Sequence, residues 1–183
     1  MRKYKIILVD SDVISHFISA KCIDKLAEIV SPNIIYILDV VYREVTRCGR
    51  KRKELVDSWM KQQKMRPIPF HYDNEKVRME YFRIKKENGL IGDGERACMA
   101  MARFQNEVLA SSNFNDIKDY CNENGIEYIG CMDLLYIAQK RKIFTTEQCN
   151  SFISSVKELN NARLPVAKIE DYIPDRDLSY YIN

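Results

Sequence analysis

Four short runs in this chain are apolar without interruption: Ile6-Ile7-Leu8-Val9, Ile34-Ile35-Tyr36-Ile37-Leu38, Val108-Leu109-Ala110, and Tyr128-Ile129 just after Gly125. A strand with one wet face alternates apolar and polar residues. A strand apolar throughout must be covered on both faces, as in a parallel sheet packed between helices. The intervening segments have the spacing to provide that cover. Ile23, Leu26, Ala27 and Val30 stand at i, i+3, i+4 and i+7, as do Ala97, Ala100, Met101 and Phe104, and again Cys149, Phe152, Ile153 and Val156. The Met and Cys within these stripes read as packing residues.

Local signals place several helix ends. Thr145 with Gln148 forms a capping box, and Gly125 sits where a helix from about Asp116 to Glu123 stops. Leu55, Val56, Trp59 and Met60 predict a helix ended by Pro67 and Pro69, and Val77, Tyr81 and Ile84 predict another. The expected fold is therefore an α/β three-layer sandwich, with a central, mainly parallel sheet of four or five strands flanked by helices. With 183 residues there is no room for two full cores. Residues 1–161 read as one domain. Residues 162–183, with Pro165, Pro174 and a Tyr180-Tyr181 pair, read as a tail that docks on the body or binds a partner.

Composition narrows the chemistry. At 46% hydrophobic and 30% charged, with six Gly and five Pro, the chain is neither collagen-like, low-complexity nor wholly disordered. Its apolar runs fall far short of the roughly 18 residues that span a bilayer, and Asp10 interrupts the first where a signal peptide would continue. A cytoplasmic protein with no membrane partner is expected. The six cysteines lack CxxC spacing and only His16 and His71 are present, which disfavours structural zinc and Ser/His or Cys/His nucleophiles. Carboxylates remain as the carriers of any chemistry.

The carboxylates follow the predicted strands. Asp10-Ser11-Asp12 comes after the first, Glu44 lies one turn into the helix after the second, Asp93 and Glu95 open the helix before the third, and Asn113 and Asp116 follow the third. In a parallel sheet, residues beyond the carboxyl ends of the strands share one edge. Clustered carboxylates repel one another unless a cation neutralises them, and an oxygen-only ligand set favours Mg²⁺ or Mn²⁺. Such ions support phosphodiester hydrolysis. Asp10 ends a wholly apolar run, and Glu44 shares a helical face with Val41, Val45 and Cys48, a stripe that normally excludes an acid. Asp12 and Asp116 equally suit helix capping, and Asp93 and Glu95 suit a helix N-terminus without further function.

These residues resemble the motifs of the PIN domain, a metal-dependent nuclease fold of many prokaryotic toxin ribonucleases. ILVDSDVIS is similar to its opening strand and first acid, VVYREV to its second motif, IGDGERACMAMA to a Gly-x-Gly-Glu variant of its third, and VLASSNFNDIKDYCNENGIEYIGCMDLLYIA to its closing unit. The likeness runs from about Lys5 to Lys142. It implies that Asp10, Glu44 and Glu95 are catalytic, metal-binding carboxylates and that Ser11 orients Asp10 by hydrogen bonding. Where many members have an Asp after the third strand, this chain has Ser112-Asn113, with Asp116 three residues on. Asn113 and Asp116 are therefore candidate ligands, Asp116 also a candidate catalytic acid, and Asp93 an additional ligand. The resemblance also implies an RNA substrate, a toxin role with an antitoxin protein as partner, and a homodimer.

The basic run REVTRCGRKRK places Arg43, Arg47, Arg50, Lys51, Arg52 and Lys53 beside Glu44. Its local net charge is +5, whereas the remainder of the chain is −2 against an overall +3. These side chains are the candidate RNA contacts, with a solvated charged turn as the alternative. Two other functions fit parts of the pattern. One is a nucleic-acid-binding protein of the same fold with a degenerate site, suggested by Asn113. The other is a haloacid-dehalogenase-like phosphatase, since ILVDSDVIS also resembles that nucleophile motif.

Overall fold

The computed structural model describes residues 4–182, and the side chains of all of these except 114–116. Its sheet has five strands in the order β3-β2-β1-β4-β5, every pair parallel. These are β1 (Ile6–Val9), β2 (Ile34–Leu38), β3 (Arg66–Ile68), β4 (Val108–Ala110) and β5 (Tyr128–Ile129). The helices are α1 (Ser11–Ser19), α2 (Leu26–Val30), α3 (Asp39–Arg47), α4 (Arg50–Lys61), α5 (Glu75–Glu87), α6 (Asp93–Gln105), α7 (Phe114–Asn124), α8 (Cys131–Lys140), α9 (Thr146–Asn160) and α10 (Ser179–Ile182).

The central strands are buried as their composition requires. Ile7, Leu8, Val9 and Leu109 are each at most 1% exposed, which leaves no face of β1 or β4 to water. Burying each such side chain contributes about 1.5–3 kcal/mol, so these strands anchor the fold. Phe17 of α1 meets Phe152 of α9 edge to face, with centroids 4.9 Å apart. Thr145 accepts from the Gln148 main-chain N–H at 3.3 Å and Gln148 reaches back to the Thr145 N–H at 2.8 Å. Gly125 ends α7 in the left-handed region at φ 63°, where a side chain would be strained.

Two segments differ from the sequence expectation in detail. A fifth strand, β3, pairs with β2 where only prolines after a helix were legible. Pro67 fits because β3 is an edge strand of three residues, where a missing N–H costs little. The stripe Ile23 to Val30 is divided into a 3-10 turn at Ile23–Lys25 and the short α2.

The C-terminal segment lies along β5 and the start of α8. Tyr172 Oη donates to Asp133 Oδ1 at 2.7 Å, Arg176 Nη1 donates to the Tyr128 carbonyl at 3.0 Å, and Tyr181 Oη donates to Glu127 at 2.5 Å. Among the described residues no helix is long and apolar enough to cross a membrane.

Strand order positions the chemistry. The chain moves outward from β1 through β2 to β3, then returns to place β4 on the other side of β1. The carboxyl ends of β1 and β4 are therefore neighbours at the point where the winding reverses, the position at which such sheets leave a crevice.

Candidate functional site

Asp10 leaves β1 and opens α1 in an extended conformation, φ −79° and ψ 161°. Its main-chain N–H still pairs with the Ala110 carbonyl of β4 at 2.9 Å, which pins the residue to the sheet edge. Its side chain is buried, and Oδ1 accepts from the Ser11 main-chain N–H at 2.6 Å. Ser11 thus acts on Asp10 through its backbone.

Glu95, on the first turn of α6, is buried beside Asp10. The Ser111 hydroxyl, fully buried at the end of β4, donates to Glu95 Oε1 at 2.9 Å and stands 3.5 Å from Asp10 Oδ2. Glu44 reaches in from α3, where its Oε1 accepts from the Gly94 N–H at 2.8 Å. That N–H is one of the four that α6 cannot satisfy internally, and Gly92 offers no side chain to cap it. Within the stripe expected around Glu44, Val41 and Val45 are buried and Cys48 is exposed.

The close approach of α3 to α6 requires a glycine at 94. A Cβ there would fall 3.0 Å from Glu44 Cδ and 3.1 Å from Val41 Cγ2, and closer still to Glu44 Oε2. Gly94 and Ser111 are site residues that sequence reasoning did not single out. The signals were a glycine between two acids and a hydroxyl directly after a buried strand.

The electrostatics follow from this geometry. Burial, then the charges of Glu95, Asp12 and Glu44, push the Asp10 carboxyl well above its usual 3.8, against the opposing Ser11 hydrogen bond. The neighbouring Cys98 thiol is pushed up by burial and then by Asp10, Glu95 and Glu44. Three acids from three elements therefore share one region of negative potential. As placed, no three His, Cys, Asp or Glu side chains among the described residues form a ready metal cage. The donor chemistry nevertheless fits a hard cation: oxygen atoms only, buried, and mutually repelling.

The other candidates are distributed around this centre. The Asp93 side chain is turned to Arg96, with which it forms an ion pair, and to Tyr81 Oη, which donates to it at 2.9 Å. The Tyr81 hydrogen bond, and after it the Arg96 charge, hold its carboxyl below 3.8 despite some desolvation. It is thereby engaged in joining α5 to α6. Asn113 donates its main-chain N–H to Ser111 Oγ at 3.2 Å, and its side chain lines a cleft next to Asp12 and Ser112. The Asp116 side chain lies outside the described residues.

Half of the basic run is internally compensated. Arg43 pairs with Asp39 at 2.8 Å, Arg50 with Glu54 at 2.7 Å and Lys53 with Asp57 at 2.7 Å. Over residues 39–57 the net charge is therefore only +2. Arg52 donates to Ser15 Oγ of α1 at 2.9 Å, which brings its guanidinium toward the cleft. Arg47 and Lys51 are exposed.

A five-stranded parallel sheet between helices, with acids gathered at its winding reversal, defines an α/β domain built to hold charge at one edge. A sequence model of the PIN domain family DUF3368 matches residues 6–174, and the chain belongs to that family of nucleases. Among solved structures, the crystal structure of VapBC2 from Rickettsia felis bound to a DNA fragment from its promoter superposes with a TM-score of 0.52. It is 18% identical, covering 68% of this chain and 98% of that chain. That likeness is one of fold. No match to a curated protein was found.

Proposed function

We propose that this chain is a divalent-metal-dependent endoribonuclease, acting as the toxin of a toxin-antitoxin pair. The observation that carries the reading is the convergence of Asp10, Glu95 and Glu44 on the β1 and β4 ends, with Asp10 buried among like charges. Asp10, Glu44 and Glu95 would hold Mg²⁺ or Mn²⁺, with Asn113 and Asp116 as further ligands and Asp93 engaged through Arg96. When bound, the ion supplies an activated water and offsets the charge that builds on the scissile phosphate. The protein's own part is positional. Ser11 and Gly94 N–H groups fix Asp10 and Glu44, and the Ser111 hydroxyl fixes Glu95. Arg47, Lys51 and Arg52 are the cations best disposed to bind RNA phosphates. The antitoxin partner is supported by the VapBC2 likeness, and a homodimer and a cytoplasmic location accompany the reading.

Purified protein incubated with mixed RNAs and Mn²⁺ or Mg²⁺ should cleave them, and Asp10→Asn or Glu95→Gln should abolish cleavage. Cleavage that survives either substitution would sink the assignment. Ser111-Ser112-Asn113 after β4 favours one second reading, a nucleic-acid binder with a degenerate site. RNA binding without any Mn²⁺-dependent stabilisation would select it. The same three residues offer no paired acid of the kind a haloacid-dehalogenase-like phosphatase needs.

A further inference from the structure

A cleft of about 700 Å³ opens beside the carboxylates, within the range of roughly 300–1,000 Å³ typical of small-ligand sites. Its near wall carries Asp12, one of the charges acting on Asp10, and Ser112 and Asn113, which directly follow the Ser111 hydroxyl that donates to Glu95. Its far wall is formed by residues 160–165, where the chain leaves α9. That wall is firmly built. Asn161 takes the left-handed conformation at φ 50° and turns the chain across the cleft. Lys157 Nζ then donates to the Val166 carbonyl at 3.0 Å, and Asn150 Oδ1 accepts from the Ile169 N–H at 2.8 Å.

The lining carries the amides of Asn113, Asn160 and Asn161 and the Ser15 hydroxyl, beside Asp12 and a Ser112, His16 and Cys131 cluster that is hydrogen-bonded within itself, so donors and acceptors stand together, as the edge of an unpaired base requires. Asn160 Oδ1 is buried and, among the described residues, has no hydrogen-bond partner, a cost that rotation of the side chain onto a donor in the cleft would relieve. Leu164 and Pro165 add an apolar surface for a planar ring, and Arg163 is exposed at the rim. A groove for a partner helix would instead be mainly apolar.

We propose that this cleft is a base-selecting subsite, which takes one unpaired nucleobase of single-stranded RNA next to the scissile phosphate. Asn160 and Asn161 read the base edge, and Arg163 holds an adjoining phosphate. The position of that phosphate rests on the nuclease reading, whereas base recognition can be tested separately. Short single-stranded oligoribonucleotides that differ at one base are titrated into the full-length, isotope-labelled protein without metal, while the side-chain amide signals of Asn160 and Asn161 are followed. The same oligonucleotides are then digested with Mn²⁺ and the cuts mapped. The expected result is a base-dependent shift of both amides and a preference for one base beside the cut, compressed roughly tenfold by Asn160→Ala. Arg163→Ala should weaken binding of every sequence alike. Shifted amides without cleavage would refute the nuclease reading and leave the subsite standing. Cleavage with unmoved amides, or with equal rates for all bases, would overturn the subsite and leave the nuclease. Protection of residues 160–165 by a partner protein, with RNA leaving them unmoved, would also overturn it.

Discussion

Replacing Asp10 with Asn should stabilise the metal-free protein while removing its response to metal. The Ser111 hydroxyl lies 2.9 Å from Glu95 Oε1 and 3.5 Å from Asp10 Oδ2, so these oxygens are separated by at most the sum of the two, about 6.4 Å. Two unit charges at that separation repel by about 2.5 kcal/mol at an effective dielectric of about 20. With local relaxation and screening taken into account, a gain of about 1–2.5 kcal/mol is expected for the substitution. The asparagine keeps an oxygen to accept the Ser11 N–H and gains an amide that can donate to Ser111 Oγ, 3.5 Å from the present Oδ2. For a chain of this size each kcal/mol moves the melting temperature by about 2–4 °C, so a rise of about 2–10 °C is expected in EDTA. Unsubstituted protein at a Mn²⁺ concentration 100 times its Kd should gain about 2.7 kcal/mol, or about 5–11 °C. The variant should gain almost nothing. Differential scanning fluorimetry of both proteins, with EDTA and across a Mn²⁺ series, measures all four quantities. A variant that melts at or below the parent in EDTA, or that keeps the full metal response, would refute the charge argument.

Three other substitutions probe separate links. Gly94→Ala should gain about 1 kcal/mol of helix propensity and lose about 1–3 kcal/mol to crowding against Glu44, so its melting temperature should change by only a few degrees while metal-dependent cleavage drops at least tenfold. Parent-like activity would show that Glu44 tolerates displacement. Glu80, 6% exposed, accepts from Arg83, Tyr120 and Arg103, and these hydrogen bonds outweigh burial and hold its carboxyl below the usual 4.5. Its stabilisation is therefore present above pH 4.5 and lost as the pH falls through the folded value. Glu80→Gln should cost about 1–3 kcal/mol at pH 7 and much less near pH 3, a convergence visible in denaturant titrations at the two pH values. Removing both Arg47 and Lys51 should weaken RNA binding uniformly across sequences and reduce the slope of log K against log salt by about 0.7 for each phosphate no longer neutralised, read by fluorescence anisotropy.

Much of this fold was legible because the central strands have no polar face. Continuous apolar runs named β1, β2, β4 and β5 and their covering helices together. β3 was not legible, since Arg66-Pro67-Ile68 contains one apolar residue and exists by pairing with β2 at an edge. For the C-terminal segment the sequence left docking and partner binding open and could not choose between them. Its anchors are single polar contacts from Tyr172, Arg176 and Tyr181, which have no period to read. The basic run was overstated for a different reason. Asp39, Glu54 and Asp57 lie just outside the eleven residues counted, yet four-residue spacing on α3 and α4 pairs them with its cations.

At the site, Asp10 and Glu44 stood out because they interrupt apolar patterns, whereas Ser111 looks like any loop serine until β4 buries it. The structure adds a reason why so much charge can gather there. Asp10 accepts the first N–H of α1, and Glu44 accepts an N–H from the first turn of α6, so the positive ends of two helices face the acids. Each helix terminus offsets about 0.3–1 kcal/mol. A single carboxylate pair no farther apart than Asp10 and Glu95 costs at least about 2.5 kcal/mol, and Asp12 and Glu44 add to it. The helix ends can therefore position the acids but cannot neutralise them. Asp93, held by the Tyr81 hydroxyl and the Arg96 charge, ends below its usual pKa, whereas Asp10, buried among like charges, ends above its own even though it accepts a helix-start N–H. That difference between two acids at helix starts is the one expected if Asp93 is structural and Asp10 belongs to the proposed metal site, where a bound cation would offset the repulsion that the helix ends leave.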